Sequence, residues 1–124
     1  MSNQEIPPWL REQLARFEQL QQSLQVTSSQ KQQIELEIAE MNKAVEELTK
    51  SGQDETVYKS VGTVLIKSKK EDVLKEIEEK KELSNTRLIV LSKQETRVRE
   101  NVKELQAKIN EAVKSRAQTQ TPTS

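Results

Sequence analysis

The sequence predicts a mainly α chain in which two long antiparallel coiled-coil helices are joined by a central β-hairpin, and three observations predict it. Two stretches carry apolar residues at alternating three- and four-residue steps, the signature of a coiled-coil seam. Between them lies a short run rich in β-branched residues, in which that rhythm is absent. Composition argues against a globular core: of 124 residues 32% are hydrophobic and 32% charged, with one Trp, one Tyr and one Phe. Polar chains of this kind are often disordered, and here the periodicity decides for helix.

Helix one is predicted over about residues 8–51. Pro7-Pro8 opens it, because proline at the first helical position has a suitable φ and gives up no donor that the helix needs. From Phe17 the seam runs through Leu20, Leu24, Thr27, Lys31, Ile34, Ile38, Met41, Val45 and Leu48, all apolar except Thr27 and Lys31. Upstream, Leu10 and Leu14 join by one three-three step, a stammer that overwinds a supercoil locally. Ser51-Gly52 closes the helix, with Gly52 suited to the left-handed position beyond its end.

The segment from Thr56 to Lys67 predicts a β-hairpin turning near Ser60 to Gly62. Val64, Leu65 and Ile66 are consecutive, so both faces of its second strand carry apolar side chains. A lone two-stranded hairpin is marginal in water and exposes unpaired edges. The expected remedy is pairing with strands of other chains.

Helix two is predicted over about 69–114, with Ser68 and Glu71 at capping-box spacing before it. Its seam reads Leu74, Ile77, Lys81, Ser84, Leu88, Leu91, Glu95, Val98, Val102, Leu105, Ile109 and Ala112. With Leu48 opposite Leu74, the two seams align antiparallel at a constant index sum of 122, pairing Val45 with Ile77, Ile34 with Leu88 and Phe17 with Leu105. That constancy favours a hairpin over two unrelated helices. Thr27 then faces Glu95, one turn from Lys31, and such a polar cluster fixes register at some cost in stability. Helices of about 40 residues extend on the order of 60 Å, so the expectation is a thin arm with both chain ends at the tip farthest from the strands. Residues 1–114 form a single domain in this reading, and 115–124 a disordered tail.

Lys plus Arg and Asp plus Glu both number 20, which leaves no net field to attract nucleic acid or an anionic membrane. The N-terminal residues lack a basic stretch followed by an apolar one, and nowhere do roughly 18 apolar residues run together. Cysteine is absent, consistent with a reducing compartment, and the expected localisation is cytoplasmic. Histidine is absent as well, and the two glycines, Gly52 and Gly62, cannot form a phosphate-cradling loop. Glu76-Ile77-Glu78-Glu79 has the residue types of a metal or acid–base site, but Glu71/Lys75 and Glu76/Lys80 are ordinary i,i+4 pairs of a solvated face. Lys67, Lys69 and Lys70 admit a phosphate site or, as the preferred reading, a helix start balanced by the acidic residues that follow. No catalytic, cofactor-binding or metal-ligating residue is assigned, and the expectation is a binding subunit and not an enzyme.

The chain ends carry a second apolar group: Ile6, Trp9, Leu10, Leu14 and Phe17 at one end, Ile109 and Val113 at the other. One reading is that they close the coil, with Leu10, Leu14 and Phe17 packing against Leu105, Ile109 and Val113. For Ile6 and Trp9, which lie beyond or beside the seam, an exposed contact surface is the alternative.

The segments Gln19-Leu20-Gln21-Gln22, Gln30-Lys31-Gln32-Gln33, Ala44-Val45-Glu46-Glu47-Leu48 and above all Val57-Tyr58-Lys59-Ser60-Val61-Gly62 resemble those of prefoldin β subunits of the archaeal type. The resemblance covers roughly residues 8–114. It implies a hexamer of two α and four β subunits whose hairpins join in intersubunit β-barrels. It also implies an ATP-independent holdase that binds non-native client proteins at coiled-coil tips and transfers them to a group II chaperonin. Val57, Tyr58, Val61, Gly62, Val64, Leu65 and Ile66 match the assembly hairpin by position, and Ile6, Trp9, Leu10, Leu14, Phe17, Ile109 and Val113 are the client-binding tip candidates. The competing reading is a structural coiled-coil adaptor with one native partner, which client range distinguishes.

Overall fold

The computed structural model describes residues 6–120, with side chains as far as Arg116. In chain order it consists of α1 (Pro8–Lys50), β1 (Val57–Val61), β2 (Val64–Ser68) and α2 (Lys70–Gln120). Two long helices therefore flank one small antiparallel hairpin, as the seams and the β-branched run predict.

Pro8 is the first residue of α1, and the Pro7 carbonyl accepts from the amides of Leu10 at 3.0 Å and Arg11 at 2.9 Å. The missing proline N–H is one that a helix start leaves unpaired in any case. At the other end the expected left-handed glycine is not used. Among the described residues only Gly62 has a positive φ. The last turn is instead satisfied by Ser51, whose amide bonds the Glu47 carbonyl at 3.1 Å and whose hydroxyl bonds the Leu48 carbonyl at 2.7 Å. Lys70 then donates to the Ser51 carbonyl at 2.8 Å, placing a cation where the helix dipole favours one.

The hairpin pairs Val57 with Ser68, Lys59 with Ile66 and Val61 with Val64. This leaves Gly62-Thr63 as a two-residue loop, a step later than the turn expected near Ser60 to Gly62. Gly62 has φ 59° and Thr63 a negative φ, the arrangement of a type II′ turn, which needs glycine at its first central position. The ladder also takes Ser68 away from helix capping. Its hydroxyl bonds the Ile66 carbonyl at 3.1 Å, and the Lys69 carbonyl receives the first helical bond, from Val73 at 3.1 Å. The expected capping box with Glu71 is thus not formed.

α2 runs past Lys114, where the seam reading ends helix two, and continues to Gln120. No Gly or Pro lies between, Ala, Arg and Gln favour helix, and Pro122 is the first breaker. Residues 121–124, the end of the expected tail, lie outside the described residues.

The chain divides into two compact units. The terminal unit joins the residues up to Ser29 with those from Ser92 onward. Its core is Leu10, Leu105 and Ile109, with Phe17, Leu20 and Ala112 packed against it. Half-buried Gln13 continues the three-four alternation from Phe17 to Leu10, while Leu14 is exposed beside the seam. The expected stammer is therefore absent: helix geometry sets the seam position, and a polar residue with an aliphatic stem fills it. The polar layer exists, with Thr27 and Glu95 both buried in it and Ser28 as a further member. Thr27, 2% exposed, donates to the Ser23 carbonyl at 2.9 Å, and Ser28 donates to Glu95 Oε2 at 2.6 Å. The other unit spans Gln30–Leu91 and contains the hairpin. Its seam residues Ile34, Ile38, Met41, Val45, Leu48, Leu74, Ile77 and Leu88 are half-buried, around a buried Ser84.

Candidate interaction surfaces

Residues paired across an antiparallel ladder share a face. Val57, Lys59, Val61, Val64, Ile66 and Ser68 therefore lie on one face of the ribbon, and Tyr58, Ser60, Leu65 and Lys67 on the other. Val57 and Lys59 are half-buried, whereas Tyr58, Val61, Val64, Ile66 and Leu65, the last 67% exposed, are open. The sheet has two strands, so among the described residues each strand has one edge without a backbone partner. An exposed, apolar, open-edged ribbon is the arrangement that adds strands from elsewhere.

One side of the first face looks across an open recess of about 390 Å³ toward the start of α2, with Lys59, Val61, Ile66, Asp72 and Glu76 among its walls. Lys59 Nζ lies 2.8 Å from each oxygen of the Glu76 carboxylate. The Lys59 hydrogen bond holds the Glu76 carboxyl below the usual range, partly opposed by desolvation and helped by the charges of Lys59 and Lys80. Lys67, Lys69 and Asp72 line the same recess. A depressed carboxylate pKa stabilises the fold above the unfolded-state value, and that contribution is lost as pH falls through the folded-state value. We expect the Glu76 side-chain carbon, followed by NMR, to titrate below ordinary glutamates and to move up in Lys59→Met. An unchanged midpoint in that variant would detach the shift from Lys59. Sequence inspection missed this pair, since it links a strand to a helix at no characteristic spacing.

In the terminal unit the sequence-derived tip residues separate into two groups. Leu10 and Ile109 are buried and Phe17 packs against them. Ile6, Trp9, Leu14 and Val113 are exposed, Trp9 to 52%. In the heptad that places Leu10 and Phe17 at a, Leu14 falls at e and Trp9 at g, so they flank the seam on opposite sides. Packing thus removes the seam positions from solvent and leaves the flanking ones open. Off-seam Val26, Leu36, Leu83, Ile89 and Val90 are exposed too, and no periodic pattern distinguishes them in the sequence.

Seam-packed helices around an exposed two-stranded ribbon define the class of coiled-coil hairpin proteins. Within that class the family model described as prefoldin subunit matches residues 11–116. The prefoldin β subunit of Pyrococcus furiosus is 40% identical over 111 residues, 90% of this chain and 95% of the relative. That of Archaeoglobus fulgidus is 41% identical over 113 residues, 91% and 97% of the two chains. The crystal structure of the prefoldin β subunit from Thermococcus strain KS-1 superposes with a TM-score of 0.79 at 40% identity, covering 88% of this chain and 96% of that one. The β2 subunit from the same strain, 22% identical with a TM-score of 0.68, shares the fold. The chain belongs to the prefoldin subunit family, a family of chaperone subunits. No helix among the described residues is long and apolar enough to cross a membrane.

Proposed function

We propose that the chain is the β-type subunit of a cytoplasmic hexamer, two α and four β, that holds non-native proteins without ATP and passes them to a group II chaperonin. The observation that carries this reading is the placement of exposed apolar side chains on two separate elements of a prefoldin-family chain: the open-edged hairpin and the terminal unit. The hairpin residues Val57, Tyr58, Val61, Gly62, Val64, Leu65 and Ile66 serve assembly, closing their edges against strands of neighbouring subunits. Ile6, Trp9, Leu14 and Val113 make the client contacts, while Leu10, Phe17 and Ile109 pack beneath and hold them in place. Each contact is small and without directional chemistry, so it accepts many sequences. Several such tips on one unfolded chain gain affinity through effective concentration, and weak individual contacts allow release without nucleotide.

The test is aggregation of a chemically denatured client with the α and β subunits mixed and ATP absent. Suppression at stoichiometric complex supports the reading; an assembled complex with no effect defeats it, and binding to one native protein alone would favour an adaptor. Trp9→Ala should weaken capture by about 1 kcal/mol per tip, compounded across tips, with helix content and assembled mass unchanged. Because Trp9 is the sole tryptophan, a client lacking tryptophan should shift its emission to the blue on binding. Emission that stays put would remove Trp9 from the contact surface.

A further inference from the structure

The hairpin is joined to α2 through one residue, Lys69, and to α1 through the longer segment 51–56. A ribbon held by a one-residue link keeps rotational freedom about it unless a second contact intervenes. Lys59 supplies that contact. It sits at the centre of β1, on the face that borders the recess, and its ammonium spans to both oxygens of Glu76, more than one turn into α2. Lys70 meanwhile ties the start of α2 to the last carbonyl of the α1 end through Ser51. Hairpin, α2 and the end of α1 are thereby connected in series by two lysines that lie off the coiled-coil seam.

We propose that the Lys59–Glu76 pair is a positioning latch that presets the angle at which the hairpin presents its edges to partner strands. The inference rests on the assembly reading given above. Its energetic logic separates folding from association. Side chains 37% and 43% exposed form a pair that contributes little to the stability of the free chain. Association is different, because ladder hydrogen bonds weaken steeply when misaligned, and a ribbon that must be oriented at docking loses that freedom at the expense of affinity. The loss recurs in every copy of the subunit in a complex. Lowering of the Glu76 pKa by Lys59 agrees with a formed pair and does not by itself assign its role.

The experiment compares wild type, Lys59→Met, Glu76→Gln and the exchange Lys59→Glu/Glu76→Lys. Each is mixed with the α subunit and diluted while native mass is recorded, and thermal melting of the β chain alone is measured in parallel. We expect each single substitution to raise the concentration for half-assembly roughly 3- to 10-fold while shifting the melting of the free chain only slightly. The charge exchange should restore assembly to within about twofold of wild type, and added salt should erode the wild-type advantage without affecting Lys59→Met. Single variants that assemble at the wild-type concentration, or an exchange no better than the singles, would overturn the latch. So would single variants whose free chain melts lower in proportion to their assembly defect, since that describes an ordinary structural pair. A wild-type chain that stays monomeric with α removes the assembly reading and the latch with it; an assembling wild type with equally competent singles removes the latch alone.

Discussion

Val64→Asp is expected to leave both helices of the free chain formed and to prevent its assembly. Val64 opens β2, pairs with Val61 beside the Gly62-Thr63 turn and is exposed. In the free chain its replacement by aspartate therefore removes no core packing and strands no charge away from water. In an assembly that covers the ribbon the same carboxylate is desolvated without a partner, which costs several kcal/mol. Aspartate is also a poor strand former, which weakens the hairpin slightly in either state. A loss of about 3 kcal/mol corresponds to more than 100-fold in the concentration needed to assemble, and it recurs in each copy. Native mass with the α subunit reads the loss, and far-UV circular dichroism of the free chain reads the control. A variant that assembles at wild-type concentration would place Val64 outside the interface.

The helices and the hairpin were legible because each follows from periodicity. Three-four spacing from Phe17 to Leu48 and from Leu74 to Ala112 names a seam, and consecutive β-branched residues around one glycine name a strand pair. Cap details were less legible, because tertiary hydrogen bonds compete for the same groups. Ser68 has capping-box spacing to Glu71, yet the ladder to Val57 keeps it in the strand. Gly52 follows the helix as a C-terminal glycine would, yet Ser51 and Lys70 satisfy the end. Leu14 misled by composition: a leucine beside the seam drew the register toward itself, whereas the backbone keeps the polar Gln13 in line.

Residues of the candidate surfaces were legible by type and region. Apolar residues at the chain ends stood out in a polar chain, but hydropathy alone does not separate Leu10 from Trp9, neighbours in sequence at 3% and 52% exposure. One position along a helix rotates a side chain by about 100°, and the partner helix decides which of the two it covers. The Lys59–Glu76 contact depends on how the hairpin leans on α2, information that no local spacing carries.

Leu105→Ala should destabilise the terminal unit by about 2–3 kcal/mol. Leu105 is buried in a two-helix core in which no described side chain is completely enclosed, and it packs with Leu10, Ile109, Phe17, Leu20 and Ala112. A thin core has few neighbours able to collapse into the space left by one methine and two methyl carbons, although access to water at its margins keeps the loss below the upper end for fully buried leucines. Leu14→Ala, made at an exposed flanking position, should change stability by no more than about 0.5 kcal/mol. Thermal melting of the two variants checks the contrast, and client capture below the first melting transition gives it functional meaning. There Leu105→Ala should still capture, since Trp9 and Leu14 remain presented, whereas above that transition capture and helicity should fall together. In Trp9→Ala capture should fall at every temperature while helicity holds. If Leu105→Ala melts with wild type, Leu105 is not the core residue its burial indicates; if it loses capture while fully helical, the client contacts extend into the seam.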